Sequence, residues 1–338
     1  MELTGKQATT IAVCAAFIVA GILTIAAVLD DEGTVSTGQV TIENRDSMAV
    51  DEDEVVKDSF IINEPLDTDP YKELDELIGL KQVKEEVRTL ANFVKVQRMR
   101  EKKGMKVPKM SYHLVFTGSP GTGKTTVARI VARIYKDLGI LKKGHTVETD
   151  RSGLVAEYVG QTAMKTNAII DSALNGVLFI DEAYALVPED SHNDYGQEAI
   201  STLLKRMEDD RDKLVVIIAG YTDEMQRFID SNPGLQSRFN HYIKFPDYSA
   251  EELYQIFQTY LKKNEYTMTE EAGDYLKKQL NTARANKDRN FGNARYVRNL
   301  FEAAIEHQAN RIAHHKKATR ETLSSLELVD IKKALNQK

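Results

Sequence analysis

Residues 118–125 read Gly118-Ser119-Pro120-Gly121-Thr122-Gly123-Lys124-Thr125, a spacing suited to holding a row of phosphates. Glycines let the backbone curl until successive N–H groups point at phosphate oxygens, and a helix beginning there adds the positive end of its dipole. In such a loop Lys124 reaches the terminal phosphates and the Thr125 hydroxyl ligates Mg²⁺, with Thr126 counted among the nucleotide-binding residues. A second group, Asp181-Glu182, closes the apolar run Val177–Ile180. Alone, this pair reads equally well as an acidic turn. Beside a nucleotide, Asp181 would hold Mg²⁺ through water and Glu182 would polarise the attacking water. Thr222, in Gly220-Tyr221-Thr222-Asp223, either orients that water or is a plain turn threonine.

These residues need a frame that brings them together. The β-rich run His113–Thr117 enters the loop, and an amphipathic helix from Thr125 through Tyr135 leaves it, which is the context a phosphate loop requires. Further apolar runs, Gly176–Ile180 and Leu214–Ala219, end at the acidic pair and at Gly220. Strands alternating with helices predict an α/β fold, a mostly parallel sheet flanked by helices, with ligands at the carboxyl ends of the strands. Before the sheet, Val83, Val87, Leu90, Phe93 and Val94 recur at helical spacing within Leu74–Lys103. From Ser249 onward the chain reads as helix to its end. Ser249 and Glu252 form a capping box there, and Thr269 caps a second helix without a complete box.

The totals exclude some classes. At 338 residues the chain exceeds one compact domain. A net charge of −6 argues against a general nucleic-acid binder, and none is expected as a partner. Cys14 is the only cysteine, so no intrachain disulfide forms, and the seven histidines show no metal-ligand spacing.

Ala8–Leu29 carries no charge and, at about 1.5 Å per residue, reaches roughly 33 Å as a helix, long enough to cross a bilayer. A retained single-pass anchor is the expectation; a signal or processed segment is the alternative. Lys6 before the span and Asp30, Asp31 and Glu32 after it would put the bulk of the protein outside. The requirement for cytoplasmic nucleotide outweighs that single lysine and puts the ATPase domain in the cytoplasm. From Asp30 to Asp69, thirteen acidic side chains face only Arg45 and Lys57, the composition of a self-repelling linker.

The segments GSPGTGKTT, VLFIDEAYAL and NPGLQSRF resemble the AAA+ superfamily, and Gly160-Gln161-Thr162-Ala163, Ala219-Gly220-Tyr221 and Gly292-Asn293-Ala294-Arg295 resemble its CbxX/CfxQ branch. That branch includes stage V sporulation protein K and the red-type Rubisco activases. The resemblance covers roughly residues 70 to 338. It implies ATP with Mg²⁺ as cofactors and a homo-oligomeric ring, usually of six subunits. It implies that Arg238 is an arginine finger reaching a neighbour's site, and that Arg295 is a second sensor on a helical lid, with Arg298 as rival. Ile78 and Gly79 would pack on the adenine, and Tyr158-Val159-Gly160 would be the pore loop that grips an unknown protein substrate. A core tyrosine is the alternative for Tyr158. The expected organisation is a short tail (1–7), a transmembrane helix (8–29), an acidic linker (30–69), an AAA+ α/β domain (70–247) and an all-α lid (248–338). The expected activity is ATP-driven protein remodelling through a central pore. The alternative is an accessory ATPase of a membrane, secretion or sporulation complex whose assembly is driven by ATP binding.

Overall fold

The computed structural model describes residues 60–108, 110–158, 160–188, 195–314 and 318–336. Its strands are β1 (Ile61–Asn63), β2 (Leu114–Gly118), β3 (Thr146–Thr149), β4 (Val177–Ile180), β5 (Val215–Gly220) and β6 (His241–Phe245). They form one sheet in the order β1-β3-β4-β5-β2-β6, antiparallel only at the β1 edge. β2, β4 and β5 are buried along their whole length, as continuous apolar runs in a parallel sheet must be. Alternate residues divide between two cores. Leu114, Phe116, Phe179 and Ile217 face one side, while Val115, Leu178, Ile180, Val216 and Ile218 face the other.

The helices of this part are α1 (Pro70–Glu76), α2 (Lys81–Lys102), α3 (Lys124–Asp137), α4 (Arg151–Leu154), α5 (Thr162–Ser172), α6 (Gly196–Asp209), α7 (Thr222–Asp230) and α8 (Pro233–Arg238). The expected single helix over Leu74–Lys103 is in fact two. Gly79 and Leu80 take left-handed φ values of 61° and 53°, which breaks the helix and turns α2 away from α1. Within the stretch read as acidic linker, Ile61–Asn63 pairs with β3, and Asn63 donates to Glu148 at 2.8 Å.

The lid comprises α9 (Ala250–Lys263), α10 (Glu270–Ala285), α11 (Ala294–Ile312), α12 (Arg320–Ser324) and α13 (Leu328–Asn336). The Ser249–Glu252 capping box is formed on both sides. The helical run is interrupted by a small parallel pair, β7 (Thr267–Met268) with β8 (Ser325–Leu326). Phe301 of α11 anchors the interior, with Phe257, Tyr260 and Tyr266 packed around its ring at centroid distances of 5.6–5.9 Å. Lid residues Phe257, Leu276 and Val297 belong to the same apolar cluster as Phe116 and Ile130, so one core runs from sheet to lid.

The expectation of a membrane-tethered protein with its ATPase domain in the cytoplasm is corrected. No helix among the described residues is long and apolar enough to cross a bilayer. Residues 8–29, which carried that expectation through composition alone, lie outside the described residues.

His113, at the entrance to β2, is 4% exposed and accepts a hydrogen bond from the Val216 N–H at its Nδ1, 3.0 Å away. Burial, with the nearby Arg238 guanidinium, holds it down to about 4. The unfolded chain therefore binds the extra proton first as pH falls, and stability present above about pH 6.5 is lost progressively towards pH 4. The full effect is on the order of 3 kcal/mol. Unfolding midpoints measured between pH 8 and 4 should fall across that window, and His113→Asn, which keeps an acceptor but does not titrate, should flatten the slope.

Candidate functional site

The sheet order explains how distant segments meet. β5 lies between β2 and β4, with Thr117 level with Gly220 and Ile180 level with Ile218. The phosphate-loop segment, the acidic pair and Gly220-Tyr221 therefore emerge side by side at the carboxyl edge. They line a cleft of about 420 Å³ that includes Gly118, Pro120, Gly121, Gly123, Lys124, Thr125, Thr126, Asp181, Glu182, Gly220 and Tyr221. Its far wall comes from the lid, as Tyr260, Ala294, Arg295 and Arg298.

The loop has the backbone its glycines permit. Gly118, Gly121 and Gly123 all have positive φ, and Gly123 starts α3 with no side-chain cap. The first N–H groups of α3 thus point toward the cleft without a protein partner from a cap, an arrangement that favours anions. Lys124 is buried and donates to the Gly118 and Ser119 carbonyls, both at 2.9 Å. Burial pushes its ammonium below the usual lysine range, with Arg295 adding to this and Asp181, Glu182 and Asp247 opposing it. Phosphate oxygens entering here would replace those carbonyls and restore the favoured charge. Thr122 is fully buried and its hydroxyl donates to the Ser119 carbonyl at 2.8 Å, tightening the loop from within.

Glu182 has φ 48° and ψ 42°, a left-handed conformation that costs a non-glycine residue about 1–2 kcal/mol. That turn sets both Asp181 and Glu182 on the cleft wall. Asp181 accepts from the Glu182 N–H at 3.1 Å, which steadies the turn. Beside them Tyr184 is pushed up to about 12, by burial first and then by the Glu182 carboxylate, so it stays protonated. The Thr125 hydroxyl and the Asp181 carboxylate are hard oxygen donors on one cleft, a donor set that fits Mg²⁺ rather than a softer metal.

The other expected residues divide. Arg295 and Arg298 both line the cleft, so their rivalry is not resolved by position; Arg298 also pairs with Glu302 at 3.6 Å. Thr222 is exposed as the first residue of α7 and does not line the cleft, whereas Tyr221 does. Ile78 and Gly79 also lie off the cleft lining. Gly79 abuts the Glu252 side chain, and it is Leu80 that comes up behind Gly123. Arg238 lies at the end of α8, away from this cleft, touching the Gly234 carbonyl at 3.3 Å. Tyr158 is 68% exposed, which removes the core-tyrosine alternative; Gly160 follows at φ 81°, and Val159 lies outside the described residues.

Sequence reasoning missed what holds the loop from behind. The Gly121 carbonyl accepts from the Ala294 N–H at 3.1 Å, and Tyr248 reaches the Thr122 carbonyl at 3.4 Å. Asp247, just before Tyr248, is pushed up by burial, but hydrogen bonds from Lys287, Asn293 and Ser119 together hold it below the usual carboxylate range. In Gly292–Arg295 the resemblance implies a role for Arg295 alone; no local pattern says that the backbone of this segment touches the phosphate loop.

Residues 114–247 match the family described as "ATPase family associated with various cellular activities (AAA)", and residues 249–338 match "AAA lid domain". Protein CbbX of Cereibacter sphaeroides is 49% identical over 242 residues, covering 71% of this chain and 78% of that one. The chloroplastic ribulose bisphosphate carboxylase/oxygenase activase of Cyanidioschyzon merolae is 47% identical over 261 residues, covering 77% and 88%. The chain is an AAA ATPase of the CbxX/CfxQ family. As such it binds nucleotide and hydrolyses ATP. Among solved structures, the FIGL-1 AAA domain in complex with ADP superposes with a TM-score of 0.56 at 19% identity, over 83% of this chain and 89% of that one, a likeness of fold.

In this ATPase Gly121 has φ 68°, and a Cβ there would run into the Gly292 carbonyl and lie 2.9 Å from the Arg295 amide nitrogen. Gly104 has a similar φ of 70° with nothing nearby. Gly104→Ala should cost only the left-handed penalty of about 1–2 kcal/mol and leave nucleotide affinity unchanged. Gly121→Ala should lower the unfolding midpoint further and weaken ATP binding by at least about tenfold in a fluorescent-nucleotide titration.

Proposed function

We propose that this ATPase works as a ring, of six subunits as the family resemblance implies, and that it remodels a protein by drawing a segment through the central pore. The observation that carries the reading is Arg238. Its Nε is buried with no hydrogen-bond partner among the described residues, one NH group makes long bonds to the Gly234 carbonyl at 3.3 Å and the Ser237 hydroxyl at 3.5 Å, and the carboxylate of Glu208 is 3.9 Å away. It is remote from the cleft lining of its own chain. A cation so placed finds its counter-charge on the γ-phosphate of a neighbour, where an arginine finger is worth about 10³–10⁵ in rate.

Within one cleft, Lys124 and the loop N–H groups hold the β- and γ-phosphates, and Glu182 accepts the proton of the attacking water. Thr125, and Asp181 through water, would hold Mg²⁺, which would supply charge neutralisation on the phosphate oxygens when bound. Arg295 or Arg298 senses the γ-phosphate from the lid. Tyr158, flanked by Gly160, offers an exposed aromatic ring as the grip on substrate. The activase relative is named for acting on an enzyme, and a protein target is the class proposed here.

ATP hydrolysis measured against protein concentration tests the ring. Specific activity should rise with concentration, and Arg238→Ala should reduce it by about 10³-fold or more without loss of ATP binding. Glu182→Gln should bind ATP and fail to hydrolyse it. Tyr158→Ala should keep hydrolysis while losing work on a protein partner. Activity independent of concentration and indifferent to Arg238→Ala would sink the ring.

A further inference from the structure

Asn293 is fully buried where the lid meets the phosphate loop. Its side-chain amide donates to the Asp247 carboxylate at 2.8 Å, the Phe291 carbonyl at 3.1 Å and the Pro120 carbonyl at 3.3 Å. Its side-chain oxygen accepts from the Tyr248 N–H at 3.0 Å. One side chain thus ties three segments together: the phosphate loop, the Asp247-Tyr248 hinge between sheet and lid, and the turn that starts α11. Two residues further on is Arg295, on the cleft wall.

The backbone makes this choice of residue unexpected. Asn293 has φ 47° and ψ −121°, and the Arg295 N–H donates to the Gly292 carbonyl at 2.8 Å. That is a type II′ turn with Asn293 at its first central position, where glycine is the unstrained residue. A side chain kept where glycine would relax the turn points to a role for the side chain itself.

We propose that Asn293 is a positioning residue for hydrolysis: it transmits movement of the phosphate loop to the lid, and so sets Arg295 against the γ-phosphate only when the loop is filled. The inference rests on the proposed reading of Arg295 as the lid arginine that senses the γ-phosphate, and is independent of the ring. The Pro120 carbonyl belongs to the loop that must adjust when phosphate displaces Lys124 from Gly118 and Ser119. Asp247 is the shared partner, since Ser119 of the loop and Lys287 of the lid also bond to it. A ligand shifts a conformational equilibrium only through contacts that differ between its two states, and the Asn293 amide supplies such a contact between loop and lid.

The test uses the full chain with Cys14→Ser and a spin-label pair at Lys142→Cys and Glu271→Cys, both exposed and away from the cleft. Asn293→Gly relieves the turn while removing every side-chain bond; Asn293→Ala removes the bonds and keeps the strain. For Asn293→Gly, which loses the same bonds as Asn293→Ala but not the strain, the unfolding midpoint without nucleotide should lie above that of Asn293→Ala. ATP affinity should stay within about threefold, while kcat falls by about tenfold or more, a change of about 1.4 kcal/mol in barrier. The parent's ATP-dependent change in label distance should be absent. Asn293→Ala should show the same kcat loss with a lower midpoint. The proposal is overturned if Asn293→Gly keeps parental kcat, if it loses stability as much as Asn293→Ala, if only ATP affinity changes, or if the parent itself shows no ATP-dependent change in distance.

Discussion

The loop from Gly118 to Gly123 must leave its N–H groups bare, so nothing on the ligand side can hold its shape. Support comes from behind. Gly118 lies against the Phe245 carbonyl, and Gly121 against the Gly292 carbonyl. Thr122 and Lys124 bond to carbonyls of the loop itself. Positive φ at three glycines is the local condition for that curl, and close packing from β6 and the lid is the global one. Sheet and lid both supply that packing, Phe245 on one side and Gly292 on the other.

Electrostatics add a second consequence. Lys124 is buried among its own carbonyls with three carboxylates near enough to favour its charge and Arg295 opposing it. A protein interior that keeps a cation partly desolvated stores a preference for an incoming anion. The acidic pair brings the opposite charge to the same wall, so the cleft suits a phosphate chain accompanied by a divalent cation better than a bare anion.

Much of this was legible in the residues. The phosphate loop, Asp181-Glu182 and the parallel sheet were recognisable because a glycine pattern and unbroken apolar runs are local properties. The Ser249–Glu252 box was readable for the same reason. The break at Gly79-Leu80 was not, since apolar spacing continued across it and only two left-handed residues stopped the helix. The adenine-side assignment to Ile78 and Gly79 came from resemblance alone; the fold adds that the neighbouring Leu80 packs close to Gly123 of the loop. At the start of α7, Thr222 is exposed and Tyr221 lines the cleft, a difference of one residue that local spacing does not distinguish.

By itself the sequence determined the chemistry available: a glycine-lysine loop for phosphate and a carboxylate pair after a buried strand. Each depends on residue type and short spacing, which the chain carries wherever it folds. Tertiary structure decided which of them share a wall. Strand order put β5 between β2 and β4, and with it the acidic pair beside the loop. It also turned Asn293 from part of a short phrase into a buried junction among Pro120, Asp247 and Tyr248. Those contacts join residues more than forty positions apart, and only the closing of the lid over the sheet brings them within hydrogen-bonding distance.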